Sequence, residues 1–171
     1  LNADLYAQNS HYFVPDVAFV AGAQLSYAER KNRDDFPVGP NNSDTQDWSA
    51  FSPKVGLLWD IAPQSQVFAN VSRSFEPPSF GELVDANNGG AGLIQLNEQT
   101  ATTFELGTRG FSDKISWDIA YYHSLVDNEL LQYLVQPGLT QTVNAGDTTH
   151  QGIEAALDWE LFSGLFARGG S

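Results

Sequence analysis

Glu105 and Arg109 sit four residues apart in a segment that alternates between polar and apolar residues. They therefore share one face of an extended strand, opposite Phe104, Leu106 and Thr108. At ~3.4 Å per residue the two charges stand ~13 Å apart, too far to pair with each other. A charge held off water needs a partner, so both must bond either to neighbouring strands or to whatever fills the space they face. His150, Gly152 and Glu154 repeat the arrangement on a second alternating segment. A third group opens the longest loop, where Phe75, Phe80 and Glu82 combine two ring surfaces with a carboxylate around a stiff Pro77-Pro78 pair. These three suit a ligand entrance, or else fold the loop back over the rim of the structure that carries it.

The other chemistry-bearing residues point nowhere so definite. His11, His123 and His150 are scattered without metal-ligand spacing, and with no cysteine there is neither a thiolate site nor a disulfide framework. No resident cofactor is indicated. His123 falls on an apolar face, as an interfacial residue would. Ser124 stands beside His123 but on the opposite face, and no nucleophile, base and orienting group converge, so no catalytic residues are assigned and no enzyme is expected. Gly89-Gly90-Ala91-Gly92 lacks the flanking strand, helix and Lys of a phosphate loop and reads as a loop tip. Asp34, Asp35, Asp44 and Asp47 read as a solvated acidic loop, with a cation site as the other possibility. A formal charge of −13, from 21 acidic and 8 basic residues, argues against a nucleic-acid partner.

The elements that would position these residues are long strands of period two. Val55, Leu57, Trp59, Ile119, Tyr121, Ile153, Leu157 and Trp159 form one apolar face, expected to be convex and to meet lipid. Lys54, Asp118, Glu154 and Asp158 fall on the opposite, concave face. Several runs reach the ~9–11 residues that a tilted strand needs to cross a hydrocarbon core. No apolar run approaches the ~20 residues of a membrane-spanning helix. Tight turns near Pro15, Pro63, Asp113 and Ser163-Gly164 alternate with long polar loops at 31–48, 74–98 and 129–142. Short turns on one side and long loops on the other are the wiring of a transmembrane barrel. Eight strands are expected, at 3–13, 17–30, 49–61, 66–73, 100–111, 115–128, 142–161 and 165–171, as a single curved sheet in sequence order. Leu130, Leu131 and Leu134 read as a possible helical turn.

Four blocks then carry a resemblance: Phe51 to Trp59, Val67 to Leu83, Thr100 to Gly110 and Val143 to Glu154. In this order and spacing they resemble the barrel of TonB-dependent outer-membrane receptors. The resemblance implies an all-β fold, an antiparallel hairpin meander forming part of a transmembrane barrel of about 22 strands closed by an N-terminal plug. Residues 1–171 would then be part of that barrel domain, with plug, energy-coupling box and C-terminal strands lying outside them. It further implies a bacterial outer-membrane location, contact with lipid, uptake of a ferric siderophore or similar chelate, and coupling to the TonB complex through the plug. Under it, Glu105, Arg109, His150 and Glu154 would contact the plug or lumen, and Phe75, Phe80 and Glu82 the ligand. A passive porin or a small structural barrel remains the alternative.

Overall fold

A computed structural model describes residues 1–35, 39, 41–85, 92–162 and 165–170. The turn expected at Ser163-Gly164 and the Gly89-Gly90-Ala91 stretch lie outside these residues. Among these residues, ten strands and one short helix follow in chain order: β1 (Asn2–Val14), β2 (Val17–Asn32), β3 (Asp44–Ala62), β4 (Ser65–Glu76), α1 (Phe80–Leu83), β5 (Gln99–Phe111), β6 (Ile115–Asp127), β7 (Leu130–Gln136), β8 (Leu139–Asn144), β9 (Thr148–Phe162) and β10 (Leu165–Gly170). Eight of them form one antiparallel sheet in the order β1-β2-β3-β4-β5-β6-β9-β10, and β7 pairs only with β8. The protein is thus an all-β hairpin meander whose barrel is not closed by these strands.

Three sequence expectations are corrected. Asp44 and Asp47, read within a long loop, lie in β3, which begins at Asp44 and pairs there with Asn32. Residues 142–161 are not one strand: β8 ends at Asn144 and β9 begins at Thr148. Leu130, Leu131 and Leu134 are not helical but lie in β7. The excursion between β6 and β9 therefore carries its own hairpin, and the sheet skips β7 and β8 in sequence order. The physical reason lies at Pro137-Gly138, where Gly138 takes φ 83° between two Leu-bearing segments. A Pro-Gly pair of this kind turns the chain sharply, and cross-strand pairing then outweighs the helical spacing of the leucines.

The two faces separate as the alternation requires. Gln8, Lys54, Glu105, Arg109, Asp118 and Glu154 line a single hollow of about 660 Å³ that also reaches Gly170. A hollow drawing on β1 to β6, β9 and β10 lies on the concave side of the sheet. Val55, Leu57, Trp59, Ile119, Tyr121, Ile153, Leu157 and Trp159 stand on the opposite side, all exposed. An exposed apolar wall of this size requires an apolar partner rather than water.

Close approach on the concave side explains one glycine. A Cβ at Gly107 would come within 2.4 Å of the Phe68 ring and 2.7 Å of the Ile119 carbonyl. The bare backbone of β5 thus lets the Phe68 ring lie flat against the wall, and the Arg109 guanidinium sits 5.6 Å from its centroid. Among the described residues, no helix is long and apolar enough to cross a membrane, which says nothing about strands.

Candidate ligand-entry site

The long-loop end of the sheet holds the only core cluster of buried apolar side chains identified among the described residues. Ala28, Trp48, Leu83 and Leu96 form it, with Phe75, Leu93, Ile94 and Leu130 packed around. It arises because β2 and β3 run past the apolar band and their concave faces turn apolar there, giving Ala28 and Trp48 something to cover. The chain leaving β4 supplies the cover. Pro77-Pro78 ends the strand with Pro78 fully buried, and Ser79 caps α1. The Ser79 hydroxyl accepts from the Glu82 amide while the Glu82 carboxylate accepts from the Ser79 amide at 2.7 Å. This reciprocal cap satisfies two amides that the short helix would leave bare.

The return path is equally fixed. Val84 bridges Leu93, and the Ile94 amide donates to the Leu83 carbonyl at 2.7 Å. Trp48 Nε1 donates to the Leu96 carbonyl at 3.1 Å and Gln46 Nε2 to the Ile94 carbonyl at 2.9 Å. The described parts of the loop are therefore folded back over the rim. Within it, Phe75 packs against the cluster, Glu82 is committed to its cap, and Phe80 remains 45% exposed. The three residues grouped by sequence thus have three different environments.

Below the rim, the wall charges find partners on neighbouring strands. Asn70 Nδ2 donates to Glu105 at 2.7 Å, and Arg109 donates twice to Gln66 Oε1, at 2.9 and 2.6 Å. Glu105 and Arg109 do not pair with each other, as their spacing required. Glu154 lines the same hollow, and Asp158 is paired with Arg168 of β10. His150 lies higher on β9 and meets Glu129 at 3.2 Å (Nε2 to Oε1), with Thr148 Oγ1 at 3.3 Å. His123 is on the outward face, where its Nδ1 stands 3.3 Å from Gln151 Oε1. No cluster of three or more metal-ligating side chains occurs among the described residues.

Sequence reasoning missed the residues that tie the second long loop to the first. Asn144, at the end of β8, accepts from the Asn97 amide at 2.8 Å and donates to the carbonyls of Asn97 and Asn128, each at 3.0 Å. Gln141 Nε2 donates to the Val84 carbonyl at 3.3 Å, and Gln99 Oε1 accepts from the Leu130 amide at 2.9 Å. The Pro137-Gly138 pair was the signal that could have placed this hairpin.

An antiparallel wall, apolar outside and polar around a central hollow, with short turns at one end and folded loops at the other, defines a transmembrane β-barrel wall. The family model described as "TonB dependent receptor-like, beta-barrel" matches residues 2–171. The chain belongs to that family. A metal-pseudopaline receptor from Pseudomonas aeruginosa (strain UCBPP-PA14) is 26% identical over 125 residues, covering 71% of this chain and 16% of the relative. Among solved structures, the copper transporter OprC matches with a TM-score of 0.78 at 19% identity, over 94% of this chain and 26% of its own. The siderophore receptor PirA from Pseudomonas aeruginosa matches at 0.70 with 18% identity, over 99% of this chain and 33% of its own. The present chain thus spans only a minor part of these proteins' length.

Proposed function

We propose that the full-length protein is an outer-membrane receptor that captures a scarce metal chelate, a ferric siderophore or similar complex, and imports it with energy delivered by TonB through a plug. Membership of the receptor family over residues 2–171 is the observation that carries this reading. The metal-pseudopaline receptor and the siderophore receptor among its relatives support the ligand class. The exposed outward wall is the surface that lipid would cover. Residues 1–171 are a portion of the barrel domain on this reading, and the hollow lined by Lys54, Glu105, Arg109, Asp118 and Glu154 is where the plug would sit. Phe80, on the rim and exposed, is the member of the loop group most available to a ligand; Phe75 and Glu82 hold the rim beneath it. His150 sits at the mouth rather than deep in the lumen. The relatives being receptors and transporters, the passive-porin alternative is not favoured, and no catalysis is proposed.

The test is binding by the full-length protein in detergent or nanodiscs against ferric siderophores, ferric citrate, copper and zinc chelates and quinone cofactors. Saturable binding of one metal chelate, with energy-dependent uptake in cells, is the expected result. Passive, non-saturable permeation without binding would overturn the reading.

A further inference from the structure

On the outward wall five strands meet in one row, and its middle member is small. Phe19 of β2 stands opposite Leu57 of β3, Leu57 opposite Ala69 of β4, Ala69 opposite Leu106 of β5, and Leu106 opposite Tyr121 of β6. The four large side chains are all exposed, and Ala69 leaves a groove of about 450 Å³ between them. Phe104, one row nearer the long loops, lines it as well. The floor of the groove is a methyl group and its sides are branched or aromatic. A hydrocarbon chain lying there gains contacts on three sides, where a flat wall offers one.

The same face of β4 leads from the groove to a charge. Ala69, Val71 and Arg73 alternate with the concave Asn70 and Ser72, so Arg73 stands ~13 Å from Ala69 toward the long loops. Arg73 is exposed, and its Nη2 donates to Thr100 Oγ1 at 3.3 Å, across the outward face of β5. Thr100 in turn donates to Asp127 Oδ2 at 3.4 Å, while Arg73 itself forms no ion pair among the described residues. On the outward faces of β4, β5, β6 and β9, Arg73 and Asp127 are the only Asp, Glu, Lys or Arg residues. The β3–β4 ladder ends at Lys54 and Ser72, where Pro53 has no amide to offer, so Arg73 has no strand partner on that side among the described residues.

We propose that this part of the wall seats one anionic membrane lipid, with its phosphate on Arg73 and one acyl chain in the groove over Ala69. A single cation above an apolar wall favours a headgroup whose phosphate carries no cation of its own. The Thr102 hydroxyl, in register with Arg73, is a further donor. The ~13 Å between cation and groove places Ala69 well inside one leaflet, whose hydrocarbon is ~15 Å deep. The proposal rests on the reading of the outward wall as lipid-facing and is independent of the ligand class.

The test uses the full-length receptor in phosphatidylethanolamine bilayers, with any cysteine outside residues 1–171 changed to serine. A fluorophore at Leu125→Cys reports on the site, because Leu125 lies in the row of Thr102 and Arg73 without lining the groove. A fluorophore at Leu157→Cys, exposed on the same wall near the short turns, is the reference. The quenchers are phosphatidylglycerol and phosphatidylcholine bearing the same spin-labelled chains. At position 125 phosphatidylglycerol should quench at about fivefold lower mole fraction, the ~1 kcal/mol of one cation near lipid phosphate, and at position 157 the two lipids should be equal. Arg73→Gln should abolish the preference at 125 and Arg73→Lys should keep most of it. Ala69→Leu, which fills the gap in the row, should lower it markedly. Equal quenching by the two lipids at 125 would overturn the proposal, as would a preference that survives Arg73→Gln or is untouched by Ala69→Leu. Quenching by neither lipid at either position would overturn the lipid-facing reading itself.

Discussion

The described ends of the rim loop and the β7–β8 hairpin rise from the same end of the same wall, yet one is held by buried apolar side chains and the other by buried polar ones, Gln141 and Thr142 being 4% and 2% exposed. Burying a side chain such as Leu83 or Leu96 contributes about 1.5–3 kcal/mol each. A hydrogen bond such as those from Asn144 contributes a net ~0.5–1.5 kcal/mol, because water offers nearly as good a partner. The difference teaches that two excursions from one rim can be fastened by different chemistry. The described ends of the longest loop are held by buried apolar contact, on which local stability rests, and the hairpin by buried polar groups that keep their partners.

The largest expected effect tests the rim half of this comparison. Leu83→Ala should cost about 2–5 kcal/mol locally, since it empties the centre of the cluster. Hydrogen exchange on the full-length protein should show the amides of Leu93 to Leu96 exchanging much faster. The amides of β7 and β8 should change far less; equal loss in both would show that the two excursions share one anchor.

Gly107→Ala comes next and leaves the mouth alone. With the Phe68 ring 2.4 Å from the added Cβ and the Ile119 carbonyl at 2.7 Å, overpacking should cost about 1–3 kcal/mol. The midpoint of urea-induced unfolding of the reconstituted barrel should fall, and pairing Gly107→Ala with Phe68→Leu should recover part of the loss. Without any recovery, the ring would not be what the glycine accommodates.

Trp48→Phe sharpens the polar side of the rim. The ring keeps most of its burial, but the Leu96 carbonyl loses the indole donor. A carbonyl left unpaired there should cost about 1–3 kcal/mol. Exchange at Asn97 and the neighbouring amides should rise while β3 and β4 stay protected. Unchanged exchange would show water replacing the indole at no cost.

Much of this architecture was legible before any coordinates. The alternation in 51–61 and 115–125 placed Trp59 and Ile119 on one face and Lys54 and Asp118 on the other, because a period of two leaves no intermediate choice. Turns at Pro15, Pro63 and Asp113 were legible through residues that cannot continue a strand. Two things were not. The leucines of 130–134 fit helical spacing as well as a strand, and only the pairing of Leu131 with Val143 decides between them. The ties at the mouth were hidden as well, because Asn97 and Asn144 are 47 residues apart and their contact follows from where two loops land. Glu82 illustrates the same gap: its carboxylate was visible in sequence, its commitment to the Ser79 amide was not.

The smallest expected effect on stability falls on Phe80, and it bears most directly on function. Its ring is 45% exposed and lies outside the buried cluster that fixes α1. Phe80→Ala should therefore shift stability by no more than about 0.5 kcal/mol, as surface substitutions away from packed features do. Leu83→Ala, three residues on, is expected to disturb the rim by several times that amount. The pair separates contact from scaffold. If Phe80 meets the ligand as proposed, its removal should weaken binding of the chelate by roughly fivefold or more, the scale of ~1 kcal/mol, with exchange across Leu93 to Leu96 unchanged. Weaker binding together with faster exchange would assign the ring to the rim. Unchanged binding with unchanged exchange would move the contact surface to the hairpin, whose exposed Tyr133 is then the next residue to truncate.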